Sequence, residues 1–338
     1  MSESKQRPWT MQQIATAAGV SVTTVSHALS GKRPVSPSTA MRIRRIVDEF
    51  GYAPNASGQQ LKTGRTQVIG LAVPDISHYY FSHIAKAVEE AADELDYGVI
   101  TASTFNADPR REKRCFNMLR TGLIDGLIYT ASRERVPTDE LARAASRSHI
   151  VLADEAIPSL GAVPSVTSDD HHGGHCVATY LASLGHSRVV IISGFPGLAS
   201  QVERVRGMRE VFPHALVLHG DFEMSSGYRL ISDLLAQNAD FTAVLTCNDL
   251  MAVGAIRRLV EAGRRIPDDV SVTGYDDIDM AEVVTPPLTT VRQNTSEIGR
   301  RSARMLIDAL DADPDMAQSS VLLPAELVVR ASTARPRN

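Results

Sequence analysis

Met11-Gln-Gln-Ile-Ala-Thr-Ala-Ala-Gly-Val-Ser-Val-Thr-Thr-Val-Ser-His-Ala-Leu-Ser30 is the stretch that decides how this chain is read. Thr10 followed by Gln13 is a capping-box pattern, and Ile14, Ala15 and Ala18 then form an apolar stripe that stops at Gly19, a residue suited to a left-handed cap. Ser21 caps a second helix at once, with Val25, Ala28 and Leu29 facing inward at helical spacing and Val20 filling the turn. Further on, Ser36-Pro37 opens a third helix, Ile43, Ile46, Val47 and Phe50 supply its buried stripe, and Gly51 ends it. The pattern predicts a small all-α, helix-turn-helix unit at the N-terminus.

In such a unit the second helix enters the major groove of DNA with its first residues toward base edges. Val22, Thr23 and His27 are therefore the candidate base readers: a methyl for thymine, a hydroxyl, and an imidazole donor for guanine. Ser21, Thr24 and Ser26, beside the free N–H groups of the helix start, are candidate phosphate contacts, and Thr10, Tyr52 and Asn55 complete that set. Read blandly, the same hydroxyls are helix caps and solvated polar residues.

The distribution of charge agrees with a polyanion partner for this end of the chain. The whole carries −4, yet residues 1–66 hold nine Lys and Arg against three acids, or +6, and the rest holds 26 against 36, or −10. A basic head on an acidic body draws phosphate to the head alone. At 338 residues, with 43% hydrophobic and 22% charged, the chain suits two or three ordinary cores that need no staples. Cys115, Cys176 and Cys247 are odd in number and never spaced as CxxC, which argues against a disulfide framework or a zinc ribbon. Residues 1–9 lack an apolar export segment and no run approaches the ~18 apolar residues of a membrane span, so a cytoplasmic protein with no membrane partner is expected.

The 11–30 stretch resembles the signature of the LacI/GalR repressor family. The match continues through Val35-Ser36, Gly51-Tyr52-Ala53-Pro54-Asn55 and Gln59-Gln60-Leu61, and then across nearly the whole chain. Many members carry arginine where this chain has His27, so base preference does not carry over. The resemblance implies a hinge helix over residues 55–62 that forms on operator DNA and wedges Leu61 into the minor groove. Physics agrees, because a two-turn helix containing Gly58 is marginal in water and needs DNA and a partner subunit to order it.

From residue 67 onward, apolar runs alternate with amphipathic helical stretches, the pattern of parallel sheets covered by helices. Strands are expected at 68–73, 98–103, 126–129, 150–153, 189–193, 215–218, 243–246 and 270–273. The resemblance implies a type I periplasmic-binding-protein-like α/β body of two parallel-sheet subdomains with three crossings between them. The expected organisation is a head at 1–54, a hinge and linker at 55–66, and an effector and dimerisation body at 67–338. Within the body, one subdomain takes 67–166 and 295–323 and the other takes 167–294 and 324–338.

Open parallel sheets bind ligands beyond the carboxyl ends of their strands, where this chain carries Asp75, Thr130, Asp154, Asp221 with Phe222, Asn248 with Asp249, and Asp276 with Asp277. Carboxylates and amides suit hydroxyl-rich ligands, and an aromatic face covers the C–H surface of a sugar. Several of these acids, Asp249 and Asp277 foremost, could equally be ordinary caps of the next helix. The resemblance implies effector contacts at Asp154, Ser200, Arg204, Phe222, Asn248 and Asp276, with aromatic contacts at Tyr80 and Phe81. Leu198 stands where purine-responsive members hold their ligand with an arginine, and Thr295 replaces a pocket aromatic. A sugar effector is expected ahead of a purine or another metabolite.

The run Asp169-Asp170-His171-His172-Gly173-Gly174-His175 has the chemistry of metal ligands but reads better as a strand-to-helix loop, so neither metal nor cofactor is expected. No GxSxG, P-loop, HExxH or GxGxxG pattern speaks for an enzyme. A sugar-binding protein without a DNA role would share the body but not the basic head. No leucine heptads follow Arg330, so a homodimer is expected on a pseudo-palindromic operator.

Overall fold

The structure, a computed structural model, describes residues 9–30, 33–52, 64–105, 108–131, 138–161, 163–311 and 319–337. Contacts divide it into two compact units, residues 1–66 and 67–338.

The first unit holds α1 (Met11–Ala18), α2 (Val22–Ser30) and α3 (Pro37–Phe50). Local chemistry sets each end. Thr10 Oγ1 accepts from Gln13 N–H at 3.3 Å while Gln13 Oε1 accepts from Thr10 N–H at 2.9 Å, closing the capping box, and Gly19 takes φ 63°. Ser21 Oγ accepts from Thr24 N–H at 3.1 Å, and Ser36 caps α3 with Pro37 in its first turn. Ile14, Ala15, Ala18, Val25, Ala28, Ile43, Ile46 and Tyr52 form the core. Phe50, expected inside, is instead 39% exposed: it is the last residue of α3, before the Gly51 cap, and its ring stacks on Trp9 at 3.8 Å. The hinge expected at 55–62, with Asn55 and the wedge residue Leu61, falls outside the described residues.

The second unit contains two parallel sheets. The first joins β1 (Val68–Val73), β2 (Gly98–Ser103), β3 (Gly126–Tyr129), β4 (His149–Asp154), β5 (Ser165–Ser168) and β11 (Val321–Leu323) in the order β11-β5-β4-β3-β1-β2. The other joins β6 (Val189–Ser193), β7 (Leu216–His219), β8 (Ala243–Thr246) and β9 (Ser271–Thr273) in the order β7-β6-β8-β9. A small antiparallel pair, β10 (Thr290–Arg292) with β12 (Glu326–Val328), extends the second lobe.

Both sheets are buried on two faces, which explains their near-continuous apolar runs. In β1, Ile69, Leu71 and Val73 point into one core and Ala72 into the opposite one, and β6 divides Val190 and Ile192 from Val189 and Ile191 in the same way. The covering helices on the first lobe are α4 (Tyr79–Asp93), α5 (Pro109–Arg120), α6 (Thr138–Ala145) and the late α12 (Thr295–Asp311). On the second they are α7 (Asp170–Ser183), α8 (Ala199–Val211), α9 (Met224–Ala236), α10 (Asp249–Glu261) and the single turn α11 (Met280–Val283). Because β5 and β11 belong to the first sheet while α7 and β12 belong to the second lobe, and α12 returns to the first, the chain passes between lobes three times.

Glycine sets the spacing of α7 on α8. A Cβ on Gly174 would strike the Arg204 carbonyl, and one on Gly207 would strike that of His171, so the two helices touch backbone to backbone. The Asp/His/Gly run is thereby used up in helix packing: Asp169 caps α7, Asp170 pairs with Arg204, and His171 and His175 reach Glu210 at 2.8 and 3.3 Å. Among the described residues no group of three or more His, Cys, Asp or Glu is placed to hold a metal ion, and no helix is long and apolar enough to cross a membrane.

Candidate functional site

The carboxyl ends of both sheets face one cleft of about 180 Å³. Of the residues singled out in the sequence, Asp75, Tyr80, Phe81, Asp154, Ser200, Arg204, Phe222, Asn248 and Asp276 all line it. Thr130 does not. Its side chain is fully buried, with an Oγ1 that finds no partner, and the neighbouring Ala131 supplies the cleft wall. Alternation along an extended segment sends the two side chains to opposite sides, so the residue after β3 faces inward.

Backbone geometry at the rim is unusual. Asp154, Phe222 and Asp276 have φ of 70°, 71° and 108°, conformations that cost non-glycine residues about 1–3 kcal/mol each and gather at functional sites. At Asp154 a three-residue turn closes through Glu155 N–H to Ala153 C=O at 2.8 Å. That turn delivers two consecutive acids to the cleft.

Arg204 is 4% exposed and heavily engaged. Its Nε donates to Asp170 Oδ1 at 2.7 Å, its Nη1 donates to the Cys247 carbonyl at 2.7 Å, and Asp276 Oδ1 lies 3.6 Å from Nη1. The guanidinium sits 3.9 Å over the Tyr275 ring. Tyr80 donates its hydroxyl to Asp154 Oδ1 at 2.5 Å. Asn248 caps α10 by accepting from Met251 N–H at 3.0 Å and donates to the Phe222 carbonyl at 2.8 Å. Gln293 donates to Asp276 Oδ1 at 2.8 Å. Two strand-end acids serve structure: Asp249 holds Ile278 N–H and Thr290, and Asp277 pairs with Arg292 and Arg330.

Asp221, named with Phe222 among the strand ends, lines the cleft as well, and Glu155, Gln201, Glu223 and His78 do so without having been singled out. Glu155 is the most consequential. It is 4% exposed and accepts from Ser200 N–H at 3.2 Å and from the Ser200 hydroxyl. Burial, then the negative charge of Asp154, pushes its carboxyl up to about 8. Burial likewise raises Asp154 to about 6, against the Tyr80 hydrogen bond, and raises Asp276 well above the usual carboxylate range.

In the head, α2 presents Thr23 exposed, while Val22, which packs on the head core, and His27 are half-buried. Ser21 and Thr24 bond each other at 2.9 Å, Thr10 is held by Gln13, and Ser26 is half-buried. Tyr52 is 8% exposed with its ring in the core, leaving at most its hydroxyl for a phosphate.

Residues 10–55 match the profile of the bacterial regulatory proteins of the lacI family, and residues 178–333 match a periplasmic-binding-protein-like domain. The HTH-type transcriptional regulator DegA of Bacillus subtilis is 33% identical over 336 residues, covering 96% of this chain and 98% of that protein. The chain belongs to the LacI family. LacI-family proteins are DNA-binding transcriptional regulators, and the architecture agrees: the lac repressor dimer bound to operator and the anti-inducer ONPF superposes with a TM-score of 0.87 at 27% identity, covering 97% of this chain and 100% of that one. A LacI-family regulator from Enterococcus faecium with bound ribose matches with a TM-score of 0.72 at 29% identity, covering 80% of this chain and 100% of the other.

Proposed function

We propose that this LacI-family regulator is a homodimeric repressor that binds a pseudo-palindromic operator through its N-terminal heads and releases or tightens its hold when a sugar occupies the cleft. The observation that carries the reading is the convergence of nine hydroxyl-binding and aromatic side chains on one cleft between the two lobes. Relatives with bound ribose and with an operator support it. In the cleft, Asp154, Asp276, Asn248 and Arg204 face the hydroxyls, Tyr80, Phe81 and Phe222 face the apolar surface of the ring, Asp75 borders the opening, and Ser200 lines the buried wall beside Glu155. Leu198 offers that wall no cation for a purine. Cleft volume favours a monosaccharide, being below the ~300–1,000 Å³ of drug-sized sites.

On DNA, Thr23, Val22 and His27 read bases, Ser21, Thr24, Ser26, Thr10, Tyr52 and Asn55 steady the backbone, and Leu61 wedges the minor groove. A protein with this task works in the cytoplasm at the nucleoid and carries out no catalysis. Binding of the purified protein to fragments of nearby promoters tests the reading. One fragment should bind in preference to the others, with an affinity that falls steeply as salt rises. Substituting Thr23 or His27 should alter which fragment is preferred, and Leu61→Ala should weaken that fragment without unfolding the protein. Equal binding to every fragment by all of these proteins would sink the proposal.

A further inference from the structure

Two features of the cleft could attract a negatively charged ligand, and the chain's own carboxyl groups already occupy both. The first is Arg204, whose Nε is held by Asp170 at 2.7 Å and whose Nη1 lies 3.6 Å from Asp276. The second is the N-terminus of α8, a helix of 13 residues whose N-cap, Leu198, has no side chain able to accept a hydrogen bond. Free N–H groups at such an end bind anions. Glu155 fills that place from the other lobe: it follows β4, lies 45 residues before Ser200, and accepts both the Ser200 N–H and the Ser200 hydroxyl. The remaining cleft acids face each other with little to balance them. Asp75, Asp221 and Glu223 gather at the opening, Asp154 lies deeper, and the other basic lining residue, His78, uses Nδ1 to accept from Tyr80 N–H at 3.3 Å.

We propose that the Glu155 carboxyl group is the specificity filter of the cleft: it takes the place an anionic effector group would bind, so the effector is an uncharged or cationic polyol, and phosphorylated or acidic sugars are refused. The inference rests on the sugar-effector reading above and narrows it. Electrostatics adds to the steric argument. Burial and mutual repulsion already raise Glu155, Asp154, Asp276 and Glu223, so the site resists the negative charge it has, and one more would have no counter-charge. A sugar ammonium would meet the opposite situation, since each neighbouring carboxyl could ionise against it.

The test uses the full-length protein, thermal unfolding and calorimetric titration. The probes are matched sets: glucose, glucosamine, gluconate and glucose 6-phosphate, then ribose and ribose 5-phosphate, then inorganic phosphate alone. Wild type should respond to no phosphorylated or acidic member more strongly than to its parent. Glu155→Ala, which frees the start of α8, should gain affinity for inorganic phosphate by about tenfold, the scale of a charge at a partly buried helix N-terminus. If Glu155→Ala does not fold, Glu155→Ser carries the same expectation. A folded variant with no gain for phosphate, or a wild type that prefers a sugar phosphate, overturns the filter and leaves the sugar-effector reading standing. A gain for phosphate in the variant, with no sugar of any charge altering operator binding by wild type, supports the filter and removes the sugar-effector reading instead.

Discussion

Glu155 and Arg204 show how a single side chain in this cleft is bound to both stability and response. A carboxyl held above its unfolded pKa carries an extra proton in the folded state. Its contribution to stability is whole below about pH 4, the unfolded value, and is lost as pH rises through the folded one. For Glu155, raised to about 8, that loss runs through neutral pH. The midpoint of thermal unfolding should therefore fall between about pH 5 and about pH 9, and Glu155→Gln should flatten the upper part of the fall. Parallel curves for the two proteins would contradict the burial argument. Arg204→Ala leaves Asp170 buried without its partner and should destabilise the body by about 3–5 kcal/mol in urea unfolding. The variant should also lose the response to effector while its head still binds operator. A loss under about 1 kcal/mol would show that Asp170 is neutral in the native cleft.

At the scale of elements, what the sequence made legible is what local chemistry determines. The Thr10/Gln13 box, Gly19, Ser36-Pro37 and Gly51 each act on residues three or four positions away, so the head's helices could be placed from them. The central strands were equally readable, since β1, β6 and β8 are apolar on both faces. Strands β10 to β12, of three residues each, are too short to show a period, and β5, of four, ends in polar residues, so none of these was expected, whereas the three-residue β9 was read as 270–273. Glu155 escaped notice because its partner Ser200 lies on another lobe, and Thr130 lies buried outside the lining because strand-end position alone does not say which way a side chain points. The glycines of α7 were visible, but their purpose appears only against α8. Gly174→Ala should force the helices apart, lowering stability by about 1–3 kcal/mol and displacing Arg204 from the cleft. Unchanged unfolding together with an unchanged effector affinity would show that the contact can yield.

Over the whole molecule, charge and topology divide the work. The +6 head is attracted to DNA and the −10 body is not, so affinity for phosphate belongs to a small unit whose grip is adjustable. Three passages of chain between two sheets, with a ligand cleft where they face each other, make a body in which a ligand touching both lobes favours one arrangement over another. The coupling is a difference in free energy, and it must act in both directions. The most direct measurement is a fluorescence-anisotropy titration of the full-length protein on its preferred promoter fragment at fixed salt, with and without the sugar that stabilises the body. Operator affinity should change by a factor of about 5 to 150 when the cleft is filled, and operator should shift sugar affinity by the same factor. Two superimposable titrations, with the sugar demonstrably bound, would contradict the account.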